Sequence, residues 1–205
     1  MATLGRGELI KRIRTLDLVV SPILSLEQLG AASVDLRMGN LVLMVRARGS
    51  SHVDPAAAKA QVGTKGHHVE RGRQQKHERF EIPFKNKFLL HPGSLALVPT
   101  LEWLRLPSDL LGFVTARSTW AREGLNIATA TLIEPNYEGI ATLELANHGE
   151  IPIALYPGMR IAQIAFSEVD GNTTRTGKPQ FSLSFEPKQG DIVGHDDAFV
   201  PQDQK

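Results

Sequence analysis

From Phe80 to Val169 the chain alternates short apolar runs with turn residues: FEIPF, FLLHPG, SLALVPT, EWLRLPSDLLGFVTARS, TLEL and PIALYPGMRIAQIAFSEV. Runs of this length and spacing read as strands, and Pro83, Pro92-Gly93, Pro99, Pro107 and Pro157-Gly158 read as the turns between them. Many short strands in succession predict a mainly β fold, a barrel or sandwich rather than a βαβ protein. Upstream, Leu9, Ile10, Ile13 and Leu16 recur at helical spacing with Lys11, Arg12 and Arg14 between them. This predicts a short amphipathic helix over 7–16. The run SVDLRMGNLVLMVRA predicts two strands separated by Met38-Gly39-Asn40, with Asp35 and Arg37 leaving the apolar face together.

The pattern fails in two places. Residues 49–79 are alanine-rich, then rich in Gly, His and Arg, which predicts a long exposed insertion. Its Lys65, Arg71, Arg73, Lys76 and Arg79 suggest a basic patch or a solvated loop, and His67, His68 and His77 are metal ligands only on paper. After Val169 periodicity is lost, so 1–169 reads as one domain and 170–205 as a tail. Such a tail closes over a ligand, reaches a neighbouring subunit or stays unstructured.

Composition narrows the functions available. With 205 residues and 41% hydrophobic content the chain supports one well-buried core. A net charge of +1 gives no general basic field, so nucleic acid is not an expected partner and any anion binding must be local. There is no cysteine, which excludes disulfides and thiolate metal sites. No segment approaches the roughly 20 apolar residues of a membrane span, so a soluble, cytoplasmic protein is expected.

Local chemistry concentrates between Arg117 and Leu145. Arg117, Ser118, Thr119 and Arg122 combine guanidinium forks with small hydroxyl donors, the inventory for holding a phosphorylated ligand. In Thr142-Leu143-Glu144-Leu145, alternation sends Leu143 and Leu145 to one face and Thr142 and Glu144 to the other. Glu144 is thus a carboxylate aimed away from the core.

In this order, several motifs resemble the dCTP deaminases of the trimeric deaminase and dUTPase superfamily. They are Ala32-Ser33-Val34-Asp35-Leu36-Arg37 with Gly39-Asn40, Leu90-His91-Pro92-Gly93 with Thr100-Leu101-Glu102, and Arg117-Ser118-Thr119-Trp120-Ala121-Arg122 with Gly124-Leu125. Thr129-Ala130, Ile133-Glu134-Pro135 and Gly139 leading to Thr142–Leu145 follow, then Tyr156-Pro157-Gly158-Met159-Arg160-Ile161 with Gln163. The resemblance runs from the N-terminal helix to about Val169. It implies a distorted, dUTPase-like β-barrel with few helices, assembled as a homotrimer with active sites at subunit interfaces. It also implies conversion of dCTP to dUTP and ammonia, with Mg2+ as companion of the triphosphate and no zinc. The missing cysteines agree independently, because zinc deaminases activate water with a His or Cys and a Cys-x-x-Cys pair.

By the same resemblance Glu144 shuttles the proton, Ser118 orients the attacking water, Arg122 places its charge beside the glutamate, and the main chain of Thr129 and Ala130 reads the base and holds the water. Arg117, Ser118, Thr119, Thr142 and Gln163 contact the nucleotide, and Glu134 meets the sugar 3′-hydroxyl. The sequence departs from the family where Glu134 replaces a frequent aspartate and where Leu132 replaces an arginine. The tail also lacks the family's basic, glycine-rich closing segment, leaving Lys178, Lys188 and Gln189 as candidates for the triphosphate. The alternatives are a dUTPase, a bifunctional enzyme forming dUMP, and a trimeric nucleotide-binding regulator without turnover.

Overall fold

In the computed structural model, which describes residues 2–46, 77–128, 132–171, 173 and 184–187, the elements follow the apolar runs closely. They are α1 (Arg6–Arg14), β1 (Val19–Ser21), a 3-10 turn (Leu26–Gln28), β2 (Val34–Arg37), β3 (Leu41–Val45), β4 (His77–Glu81) and β5 (Phe88–Leu90). After them come β6 (Leu95–Arg105), β7 (Leu110–Ala116), α2 (Ser118–Arg122), β8 (Leu125–Ala128), β9 (Leu132–Ile133), β10 (Glu138–Asn147), β11 (Ile153–Leu155) and β12 (Arg160–Glu168). The expected class, mainly β with a short N-terminal helix, is the observed one.

The strands form a six-stranded sheet ordered β4-β3-β6-β10-β8 with β1 also on β6, a four-stranded sheet ordered β2-β12-β7-β9, and the pair β11-β5. Alternation along each strand supplies one shared interior: Val34 and Leu36, Val42 and Met44, Val98 and Leu104, Val114, Leu143 and Leu145, Ile164 and Phe166 pack together. α1 closes one side by burying Leu9, and Arg12 ties it down. The Arg12 guanidinium lies 2.8 Å from both Asp17 and Asp109 and 3.7 Å from Glu168.

Three expectations are corrected. The helix ends at Arg14, and Leu16, expected on its apolar stripe, has φ 58° and is exposed. Pro99 is not a turn: β6 runs through it as one eleven-residue strand. It is tolerated because the β6–β10 register shifts there, between Ile140 and Thr142, where a missing N–H costs no regular ladder bond. Finally, His77 and Arg79, assigned to the insertion, belong to β4, paired with Val45 and Leu43. Lys65, His67, His68, Arg71, Arg73 and Lys76 lie outside the described residues, as do Lys178, Lys188 and Gln189.

The segment 184–187 crosses the outer face of the six-stranded sheet. Ser184 O accepts the Ile140 N–H at the register shift (3.1 Å), the Phe185 ring lies 4.7 Å from that of Trp103, and Glu186 pairs with Arg79 at 2.9 Å.

Candidate functional site

β7 places Thr115 and Arg117 two residues apart, so in extended backbone both leave the same face of the four-stranded sheet. The Arg117 N–H donates to Ile161 O at 3.0 Å, and its own carbonyl accepts the N–H groups of Trp120 and Ala121, starting α2 at this point. Trp120 Nε1 donates to Arg160 O (3.1 Å), which pins the short helix to β12. α2 leaves Ser118, Thr119 and Arg122 exposed. It ends at Gly124, whose φ of +89° and approach to Gly149 exclude a side chain: a Cβ there would lie 2.6 Å from Gly149 N.

Asp35 on β2 organises the charges around Arg117. Its side chain, 12% exposed, stands between two guanidinium groups, with Oδ1 3.4 Å from Arg117 Nε and Oδ2 3.3 Å from Arg160 Nη1. Gln163 lies opposite both Asp35 and Thr115 in the strand register and donates to Thr115 Oγ1 at 3.3 Å. Arg160 also lies 3.8 Å from the exposed Glu27 carboxylate, so two acids balance the two arginines, and the planar guanidinium groups remain the donors that suit an anionic ligand. Arg117 and Gln163 therefore both border Asp35. Arg160 and the bridging Asp35 were not singled out as site residues. Only the alternation of Asp35 and Arg37 with apolar neighbours hinted at the second.

Beneath β2 a buried polar network supports this cluster. Glu102, wholly buried on β6, accepts the Arg37 N–H at Oε2 and Gln28 Nε2 at Oε1, each at 2.8 Å. Gln28 Nε2 also donates to Asp35 O (2.9 Å), and Arg37 Nη1 donates to Gly158 O (2.7 Å). Burial pushes the Glu102 carboxyl up to about 7, against the opposing hydrogen bonds from Arg37 N–H and Gln28 and the Arg37 charge.

The second group of candidates lies on the other large sheet. β10 buries Leu143 and Leu145 and leaves Thr142 and Glu144 half-buried on the opposite face, as alternation requires. Glu144 pairs with Leu97 on β6 and with Ala128 on β8, so it stands in the interior of the sheet rather than at its edge. Glu134 is exposed, and its carbonyl accepts the Tyr137 N–H (3.2 Å) in the turn between β9 and β10. Thr129 and Ala130 lie outside the described residues. Within one chain, then, Arg117 and Gln163 occupy one sheet and Thr142 and Glu144 another, with α2 and β8 linking them.

Among the described residues no three His, Asp or Glu side chains gather as a metal-holding group. Nor is any of their helices long and apolar enough to cross a membrane.

A family model described as dCTP deaminase-like matches residues 3–169. The chain belongs to the dCTP deaminase family. A relative from Pectobacterium atrosepticum named dCTP deaminase is 33% identical over 88% of this chain and 91% of its own length. Another so named, from Photorhabdus laumondii subsp. laumondii, is 32% identical over 90% and 93%. The crystal structure of 2'-deoxycytidine 5'-triphosphate deaminase from Agrobacterium tumefaciens shares the fold, with a TM-score of 0.57 and 23% identity. That comparison covers 80% of this chain but only 47% of the solved one, so this chain spans about half of its length. In this member of the family both the arginine cluster around Asp35 and the carboxylate strand of Glu144 lie within the matched residues.

Proposed function

We propose that this chain catalyses the hydrolytic deamination of dCTP, with water as co-substrate and dUTP and ammonia as products. The observation that carries the reading is the likeness, over nine-tenths of the chain, to two proteins named dCTP deaminase. The site chemistry agrees with it. Attack of water at C4 of the base requires a group that accepts the water proton and returns it to the ring nitrogen or the departing amine. Glu144 has the placement for this role: half-buried, on the rigid middle of a sheet, and aimed off the core.

In this mechanism Ser118 orients the water, Arg122 places its charge beside the glutamate, and the main chain of Thr129 and Ala130 reads the base. Arg117 and Gln163 take phosphate oxygens, Thr119 and Thr142 add hydroxyl donors, and Glu134 meets the 3′-hydroxyl. Mg2+ would arrive with the triphosphate and would supply charge neutralisation at the phosphates that Arg117 and Gln163 hold. Because Arg117 and Glu144 lie on different sheets of one chain, a homotrimer that sets one subunit's arginine cluster against the next subunit's carboxylate strand completes each site.

The test is incubation with dCTP, dUTP, dCMP and CTP in the presence of Mg2+, with chromatography of base and phosphate products. Ammonia and dUTP from dCTP are expected. Release of dUMP instead indicates the bifunctional enzyme, and binding without product indicates the regulator. Glu144→Gln is expected to lower ammonia release by roughly three orders of magnitude or more while the oligomer persists, and normal turnover in that variant overturns the mechanism.

A further inference from the structure

We propose that Glu102 is a positioning residue for nucleotide binding: its carboxylate clamps β2 and the Leu26–Gln28 turn together, so that Asp35 holds Arg117 and Arg160 in place for a polyphosphate. The inference rests on the reading of Arg117 as a phosphate contact. The contacts run without a gap. Glu102 accepts the backbone N–H of Arg37 at one oxygen and Gln28 Nε2 at the other. Gln28 spends its second amide hydrogen on Asp35 O and accepts the Leu24 N–H, so it is fully engaged. Asp35 then grips both arginines through its carboxylate. The two residues of β2 that flank Leu36 are thus tied from below by one buried acid.

The groups recorded at Glu102 explain why its charge state matters. From the 3-10 turn comes neutral Gln28 and from β2 comes Arg37, whose guanidinium supplies the neighbouring charge. From β6 itself comes the residue's own N–H, which also favours the charged form, while the Thr100 hydroxyl donates to the main-chain carbonyl of Glu102 (2.8 Å) and accepts the Ala141 N–H of β10 (3.0 Å), fixing the backbone at this point. Both carboxylate oxygens are occupied as acceptors. A proton on either one sets an O–H against an N–H donor and loosens one of the two tethers. Burial brings that protonation up to about 7, so the clamp tightens as pH rises through neutrality. Gln in place of Glu102 holds one tether only, as the protonated acid does.

The experiment is calorimetric titration of the full chain with dCTP and Mg2+ between pH 6 and pH 8, comparing wild type, Glu102→Gln and Gln28→Met. Ionisation of the triphosphate is common to all three proteins, so differences between them isolate the clamp. At pH 8 Glu102→Gln is expected to bind on the order of tenfold more weakly than wild type and to lose the additional pH dependence that wild type shows near 7. In turnover the same variant raises KM while kcat stays within about threefold. Gln28→Met keeps the acid but removes a hydrogen bond that favours its charged form, so the midpoint of the affinity curve moves to higher pH. This second variant keeps the proposal testable if Glu102→Gln fails to fold. Wild-type affinity and pH dependence in Glu102→Gln, or an unmoved midpoint in Gln28→Met, overturns the proposal. Binding of dCTP without ammonia release sinks the deaminase reading alone, and the affinity comparison still decides on Glu102. Absence of dCTP binding in wild type overturns both.

Discussion

Glu102 has no solvent to share its charge with, and this gives the protein a stability that depends on pH in an unusual direction. Its proton affinity in the fold, raised from the ordinary 4.5 to about 7, exceeds that of the unfolded chain. Between those values the native state holds a proton that the unfolded chain has released. Stability contributed by the neutral acid is therefore complete below about 4.5 and declines as pH rises to about 7, by on the order of 3 kcal/mol. Urea unfolding at pH 5 and pH 7.5 measures this decline, and Glu102→Gln, with nothing to ionise, flattens it. Glu144 differs: its strand alternation leaves it half-buried rather than enclosed. The two glutamates have similar sequence surroundings, each between apolar neighbours in a β run. Only the outer or inner position on the strand face separates the proposed shuttle from the proposed clamp.

At the scale of elements, α2 is the part whose geometry is least forgiving. It is five residues long, carries no side-chain cap, and is held by the Trp120 indole, the Arg117 N–H and the Gly124 exit. Gly124→Ala forces a side chain into a left-handed conformation and against Gly149, so a loss of about 1–3 kcal/mol is expected, together with reduced ammonia release as Ser118 and Arg122 shift. Denaturant unfolding and a dCTP assay on the same sample check both effects. α1 depends on Arg12 instead. Its partners Glu8, Asp17, Asp109 and Glu168 are each more than a third exposed, so no single pair contributes much. Arg12→Ala nevertheless leaves four carboxylates facing one another, and a loss of about 1–2 kcal/mol is expected, smaller at 1 M salt than at 0.1 M. An equal loss at both salt concentrations contradicts this account.

At the scale of the molecule, the separation of Arg117 from Glu144 on two sheets makes a direct test of shared sites possible. Arg122→Ala and Glu144→Gln each inactivate one half of the proposed site. Equal mixing of the two variants into trimers is expected to restore about a quarter of the wild-type sites, because one site then joins an intact half from each parent. Co-expressed variants assayed for ammonia release measure this, and activity no higher than either parent shows that each chain carries its whole site. The segment 184–187 bears on the same question, since Phe185 against Trp103 and Ser184 against Ile140 hold that part of the tail on its own chain's sheet.

Much of this was legible along the chain because strand alternation is a local property. The β class, the strands β2, β3, β7, β10 and β12, the outward aim of Glu144 and Thr142, and the family likeness all follow from period-two patterning and short motifs. Pro99 reads locally as a turn but lies inside β6, because whether a proline ends a strand depends on the register of the strand beside it. Arg160, Asp35 and Glu102 went unassigned for a related reason. Their roles arise from contacts across 125 and 65 residues of sequence, Arg160 with Asp35 and Glu102 with Arg37, and no local pattern encodes such a distance. The sequence alone determined the β class, the strands and the outward face taken by Thr142 and Glu144. Tertiary structure decided which charges meet, because only sheet pairing brings β2, β6, β7 and β12 together around one carboxylate and the two arginines it holds.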